Sequence, residues 1–166
     1  MFLIVLVLTY FVSFSQENFK QIPSVIIKDQ NLNDFNTIDL TKKTHPIIID
    51  FWATWCKPCI KELIILDENY QTWIDETGVE IFIVSVDDSR SMSKVIPFVK
   101  SNNWNFKILL DPNSDFKRAM GIIDIPHTFI LDTNGLIVYE HTSFSEGDEQ
   151  EYYKKLLSIV NKKDNK

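Results

Sequence analysis

Residues 47–62 read IIIDFWATWCKPCIKE. Three isoleucines lead through Asp50 into Phe51 and Trp52, and a Cys-x-x-Cys pair, Cys56 and Cys59, follows. An unbroken apolar run of this kind is the pattern of a strand buried on both faces. A carboxylate in the middle of such a strand gives up its hydration, so Asp50 needs a partner or a task.

The run is followed by a change of period. From about Cys56 to Thr77, apolar Ile60, Leu63, Leu66, Tyr70, Trp73 and Ile74 recur at spacings of three and four, which predicts a helix ended by Gly78. The cysteine pair therefore lies where the first long strand hands over to the first long helix. Cys56 at the helix N-terminus meets unpaired backbone N–H groups and the positive end of the macrodipole, and both favour a thiolate. Lys57 adds positive charge in the same place. Pro58 suits the first turn, where its missing N–H has no partner to lose. Cys59, three residues on, faces the same side and is expected to be more buried and to act second. The chemistry that follows is attack by Cys56, a mixed disulfide, and resolution by Cys59.

Competing uses of the pair are weak. A disulfide framework needs more cysteines than two, and a bridge across so short a loop adds little stability. Structural zinc needs four ligands, and His45, His127 and His141 are scattered. No metal and no cofactor is expected. Asp87-Asp88 lacks further carboxylates at ligand spacing and reads as a loop ahead of a helix.

The remaining chain alternates strands and helices. Apolar clusters at Ile22–Ile27 and Ile38–Leu40 predict two short strands forming an N-terminal hairpin, and Pro46–Ala53 is a central strand. Val79–Val86 is a second buried strand, and Ser91 or Ser93 caps a helix running to about Asn102, with Pro97 near its start. Phe106–Leu110 is a short strand, and Ser114–Met120 a short helix. Thr128–Leu131 and Leu136–His141 flank the Asn134-Gly135 hairpin signal, and Glu149–Val160 closes the chain as a helix. This order predicts an α/β domain with a mixed central sheet. At 166 residues, 45% apolar and 13% aromatic, the chain has the size and composition of one globular domain. Its net charge of −6, with no basic stripe, gives nucleic-acid binding no support.

The first residues read MFLIVLVLTYFVSFSQ. The apolar stretch Phe2 to Val12 has the length of a signal-peptide core, is too short to span a bilayer, and ends in small residues at Ser13-Phe14-Ser15. Residues 1–15 are expected to be a signal peptide and 16–166 the mature domain. No Lys or Arg precedes the apolar run, so an uncleaved N-terminal anchor is the alternative. The mature protein is expected to be exported, facing the periplasm or cell envelope, and monomeric.

FWATWCKPCIKE resembles the active-site segment of thioredoxin-fold proteins, most closely exported thiol–disulfide oxidoreductases of the TlpA/ResA type. Asp124-Ile125-Pro126-His127-Thr128-Phe129 resembles that family's cis-proline loop ahead of a strand. The likeness spans roughly residues 22–160 and implies a thioredoxin fold with an N-terminal β-hairpin and one extra strand–helix unit, which Val79–Asn105 can supply.

The resemblance also implies roles. Thioredoxins place an aspartate where Asp50 stands, as a proton acceptor for the second cysteine, whereas many TlpA/ResA-like proteins have asparagine there. Pairing with Lys61 or Lys107 is the structural alternative for Asp50. Glu62 matches an active-site glutamate of ResA-like proteins; its alternative is an ordinary exposed helix carboxylate. Pro126 is expected to be cis, with the backbone at Ile125 offered to an extended substrate chain. Trp55, Lys57, Pro58, Ile125, Pro126 and His127 are the expected substrate surface. His127 stands where threonine is expected, and is either near the dithiol or an exposed loop residue. The implied function is a protein-disulfide reductase, whose partners are disulfide-containing proteins and an upstream thiol electron donor. A dedicated reductant for cytochrome c maturation and a non-catalytic binding module are the alternatives.

Overall fold

The structure, a computed structural model, describes residues 20–163; the expected signal peptide lies outside the described residues. The chain forms one seven-stranded mixed sheet with helices on both faces. Its strands are β1 (Ile26–Asp29), β2 (Asp34–Asn36), β3 (Ile47–Trp52), β4 (Glu80–Ser85), β5 (Lys107–Leu110), β6 (His127–Leu131) and β7 (Ile137–Thr142), in the spatial order β2-β1-β5-β4-β3-β6-β7. The helices are α1 (Lys57–Thr77), α2 (Val95–Ser101), α3 (Asp115–Ala119) and α4 (Asp148–Lys163).

The all-buried IIIDFW run is β3, as its composition requires. It pairs in parallel with β4 on one side and antiparallel with β6 on the other, so each residue of it has neighbours on both flanks. One face of the sheet packs Ile48, Trp52, Ile81 and Ile83 against α1, α2 and α4. The other face packs Ile49, Phe51, Val84 and Phe129 against α3 and the N-terminal segment. That segment starts at the β7 edge, where Gln21 bridges Leu136, and crosses to the far edge to enter β1. Ile22 and Leu40 are buried beneath it.

Two local expectations are corrected. The second hairpin strand is Asp34–Asn36; Ile38–Leu40 falls in a 3-10 helix, Thr37–Lys42. Asn36 starts that turn by accepting the Ile38 N–H, and the buried Thr37 hydroxyl bonds the Pro23 carbonyl, so the chain curls where its apolar residues alone suggested extension. The helix expected from Ser91 or Ser93 begins at Val95, after a 3-10 turn at Met92–Lys94. Ser91 offers no side-chain cap; Asp88 accepts the Arg90 and Ser91 N–H groups instead. Pro97 then sits in the first turn of α2, where its lack of an N–H is harmless. The expected extra unit contains β4 and α2, and β4 lies beside β3 at the centre of the sheet.

Two glycines act where their signals predicted. Gly78 adopts φ +68° and caps α1 with its N–H on Ile74. Gly135, at φ +75° in the β6–β7 turn, lies against Thr41, whose backbone would meet a Cβ at 2.6 Å. The hairpin tip thus packs on the 3-10 helix because residue 135 has no side chain.

Candidate active site

The C-terminal end of β3 runs into a turn closed by the Cys56 N–H on the Ala53 carbonyl, and α1 starts at Lys57 with Cys56 as its N-cap. Cys56 Sγ accepts the Cys59 N–H at 3.3 Å, using one of the free donors of the first turn. The two cysteines form a disulfide. Cys59 is fully buried and Cys56 is 5% exposed, so the N-terminal sulfur is the accessible one. Trp55, Lys57 and Pro58 are exposed around it.

The turn before Cys56 is held from beneath. Asp87, buried just after β4, accepts the Thr54 N–H at 2.8 Å and the Thr54 hydroxyl at 2.7 Å, and its Oδ2 also takes the Ser85 hydroxyl. Asp87 and Asp88 do form the loop ahead of a helix, but Asp87 is also the clamp on the dithiol turn. Sequence reasoning missed that because the two segments are distant in the chain.

Across from the dithiol lies the loop Ile122–Pro126. The Ile125–Pro126 bond is cis, and Cys56 Sγ lies 3.9 Å from the Ile125 carbonyl oxygen. Ile123 in this loop is 83% exposed and Trp55, next to Cys56, 65% exposed, so both loops present an apolar side chain to solvent. Ile123 carried no sequence signal of its own; Lys117 holds its carbonyl at 2.8 Å and its side chain is left outward.

Two carboxyl groups are buried together between β3 and α1. Asp50, in the centre of β3, is fully buried, and neither of its oxygens has a hydrogen-bond partner among the described residues. The cations considered for it are elsewhere: Lys61 pairs with Glu146 at 2.8 Å, and Lys107 is exposed at the start of β5. Neither lysine pairs with Asp50, and no cation among the described residues does. Glu62, one helical turn after Cys59, is also fully buried rather than exposed. Its Oε1 accepts the hydroxyls of Thr128 at 2.8 Å and Tyr152 at 2.9 Å. Thr128 is the cross-strand partner of Asp50, so the two acids share one pocket.

Burial pushes the Asp50 carboxyl well above its ordinary range, and the neighbouring charge of Glu62 pushes it further. Burial likewise lifts Glu62, which the hydrogen bonds from Thr128 and Tyr152 partly offset, leaving it pushed up to about 7. Both acids are thus poised to hold protons where an ordinary surface carboxyl would be ionised.

His127 is neither exposed nor in a loop. It opens β6, opposite Phe51, and its ring lies 4.7 Å from that of Phe129, among side chains of the face that α3 covers. Its nitrogens meet Glu140 Oε1 at 2.9 Å and Thr142 Oγ1 at 3.1 Å. Strand alternation therefore carries the His127 side chain to the face opposite Thr128 and the acid pocket.

Known proteins resemble this arrangement. The AhpC/TSA family pattern matches residues 19–140. The chain is 29% identical over 82% of its length, and 77% of the relative's, to the thiol-disulfide oxidoreductase ResA of Bacillus thuringiensis. A solved thioredoxin-like protein from Porphyromonas gingivalis superposes with a TM-score of 0.77 at 44% identity, covering 86% of this chain and 94% of that one. StoA from Bacillus subtilis gives 0.63 at 25% identity, covering 80% and 97%. Fold, dithiol and matches agree, and the chain belongs to the AhpC/TSA family of thioredoxin-like proteins.

Proposed function

We propose that this protein is a thiol–disulfide oxidoreductase that reduces disulfides in exported proteins. The observation that carries this reading is the Cys56–Cys59 disulfide at the start of α1, with Cys56 Sγ near the Ile125 carbonyl and the buried Cys59 one helical turn before Glu62, which shares a buried pocket with Asp50. Similarity to proteins named thiol-disulfide oxidoreductase supports the same activity.

In the forward direction the Cys56 thiolate attacks a substrate disulfide. One substrate sulfur leaves with the electron pair, and the other is held in a mixed disulfide with Cys56. Cys59 then gives up its proton to the acid pocket and attacks Cys56, closing the enzyme disulfide and releasing the second substrate thiol. Glu62 and Asp50 carry that proton. Trp55, Lys57, Pro58, Ile125 and Pro126 border the surface on which the substrate chain lies, and His127 supports it from behind β6. The protein works as a monomer, regenerated by a thiol donor. Residues 1–15 direct export and are removed; exported protein still beginning at Met1 would contradict removal. Among the described residues no helix is long and apolar enough to cross a membrane.

An insulin-reduction assay separates this enzyme from a thioredoxin-fold binding module: turnover is expected, and its absence in fully reduced protein overturns the reading. The direction of use follows from the reduction potential. A value near about −270 mV supports a reductant, and one near about −120 mV an oxidant.

A further inference from the structure

Glu62 is gripped through one oxygen only. Oε1 holds two donors, the hydroxyls of Thr128 and Tyr152, while Oε2 is buried with no hydrogen-bond partner among the described residues. Two accepted hydrogen bonds commit the lone pairs of Oε1, so a proton arriving at this carboxyl goes to Oε2. Tyr152 reaches the site from α4, 90 residues along the chain, and is itself fully buried. A phenylalanine would fill the same space without the donor.

We propose that Tyr152 is a positioning residue for the disulfide chemistry: together with Thr128 it fixes Oε1 of Glu62, so that of the two Glu62 oxygens it is Oε2 that exchanges the Cys59 proton. This rests on the reading of Glu62 as the proton carrier. It makes the last helix part of the active site. In the resolving step the Cys59 S–H bond breaks and its proton passes to Oε2. The Cys59 sulfur bonds to Cys56, and the Cys56–substrate bond breaks with its electron pair on the substrate sulfur.

The groups facing this carboxyl are Asp50 from β3, Cys59 on α1 itself, Thr128 from β6, and Tyr152 and Asp148 from α4, with His141 of β7 3.0 Å from Asp148. No lysine or arginine among the described residues pairs with Glu62. The Tyr152 hydroxyl stabilises the ionised form of Glu62, so its loss should raise the pH at which the carboxylate becomes available.

The test is the pH profile of mixed-disulfide resolution, followed with a model peptide in wild type, Tyr152→Phe and Glu62→Gln. Wild type should accelerate with rising pH through a limb that Glu62→Gln lacks. Tyr152→Phe should keep the limb and the plateau but shift the midpoint upward by about half a pH unit, roughly threefold in rate below the midpoint. Thr128→Val should shift the midpoint the same way, and near-UV circular dichroism identifies a variant that has not folded. Tyr152→Phe and Thr128→Val both with the wild-type midpoint, while Glu62→Gln removes the limb, would reduce Tyr152 to packing. A Glu62→Gln variant that retains the limb would remove the proton carrier, and this proposal with it.

Discussion

Glu80 and Glu62 flank the same pair of central strands, one at each end, and their surroundings are opposite. At the end away from the dithiol, Glu80 Oε2 lies 3.2 Å from Lys43 Nζ and 3.2 Å from His45 Nε2. Burial alone would raise the Glu80 carboxyl, but its ion pairs with Lys43 and His45 outweigh it and hold the group below its usual range. At the dithiol end, Glu62 and Asp50 are more deeply buried; Glu62 meets two hydroxyls, the Asp50 oxygens meet none, and no cation among the described residues pairs with either. A fold that needed only to tolerate a carboxylate would compensate it, as at Glu80. Leaving two acids without a cation costs stability, and the place where that cost is accepted lies one helical turn along α1 from the dithiol.

The largest expected effect falls on the sulfurs. Cys56→Ser should abolish insulin reduction, and Cys59→Ser should accumulate a mixed disulfide visible by mass spectrometry. Limited alkylation of the reduced protein should label Cys56 first; preferential labelling of Cys59 would reverse the assigned order.

Next comes the dependence of stability on pH. The folded Glu62 is raised from 4.5 to about 7, so the native state keeps a proton that the unfolded chain has lost. Its stabilising contribution is complete below 4.5 and is lost as pH rises through about 7. Urea unfolding should show a decline of order 3 kcal/mol across this window, at about 1.4 kcal/mol per pH unit. Asp50 is raised as well and contributes a decline of the same sign, so Glu62→Gln should remove the Glu62 share and leave that of Asp50. An equal decline in the variant would place the titration on another group.

Asp87 tests the clamp at the dithiol end. Asp87→Ala leaves the Thr54 N–H and the Ser85 hydroxyl without their acceptor. A loss of about 1–3 kcal/mol in denaturant unfolding is expected. The smallest effect belongs to the compensated end: Lys43→Ala should cost less than about 1 kcal/mol, since the pair is partly solvated, and should leave insulin reduction unchanged. A change in turnover there would couple the two ends and break the comparison.

The sequence was legible wherever local chemistry decides structure. The IIIDFW run, the three-and-four spacing after Cys56, Gly78 and Asn134-Gly135 each act on their immediate neighbours, and each marks its element. Asp50 stood out because a carboxylate in a buried strand is anomalous wherever its partners lie. What could not be read depended on distant contacts. Tyr152 looks like an ordinary apolar position of a closing helix until α4 packs beside Thr128, and Asp87 looks like a turn residue until β4 brings it under Thr54. Ile38–Leu40 curls into a 3-10 helix because Asn36 and Thr37 hydrogen bonds, and not the apolar residues, set the local backbone.

Asp50→Asn tests the central claim most directly, by two measurements on one variant. The substitution removes a buried carboxyl that must either ionise in apolar surroundings or hold a proton. Unfolding at pH 7 should show a gain of about 1–3 kcal/mol. Attack by Cys56 should stay nearly intact, while the mixed disulfide with a model peptide should live longer, because Cys59 has lost part of its proton acceptor. A variant that is less stable and resolves at the wild-type rate would make Asp50 a structural residue and contradict the account.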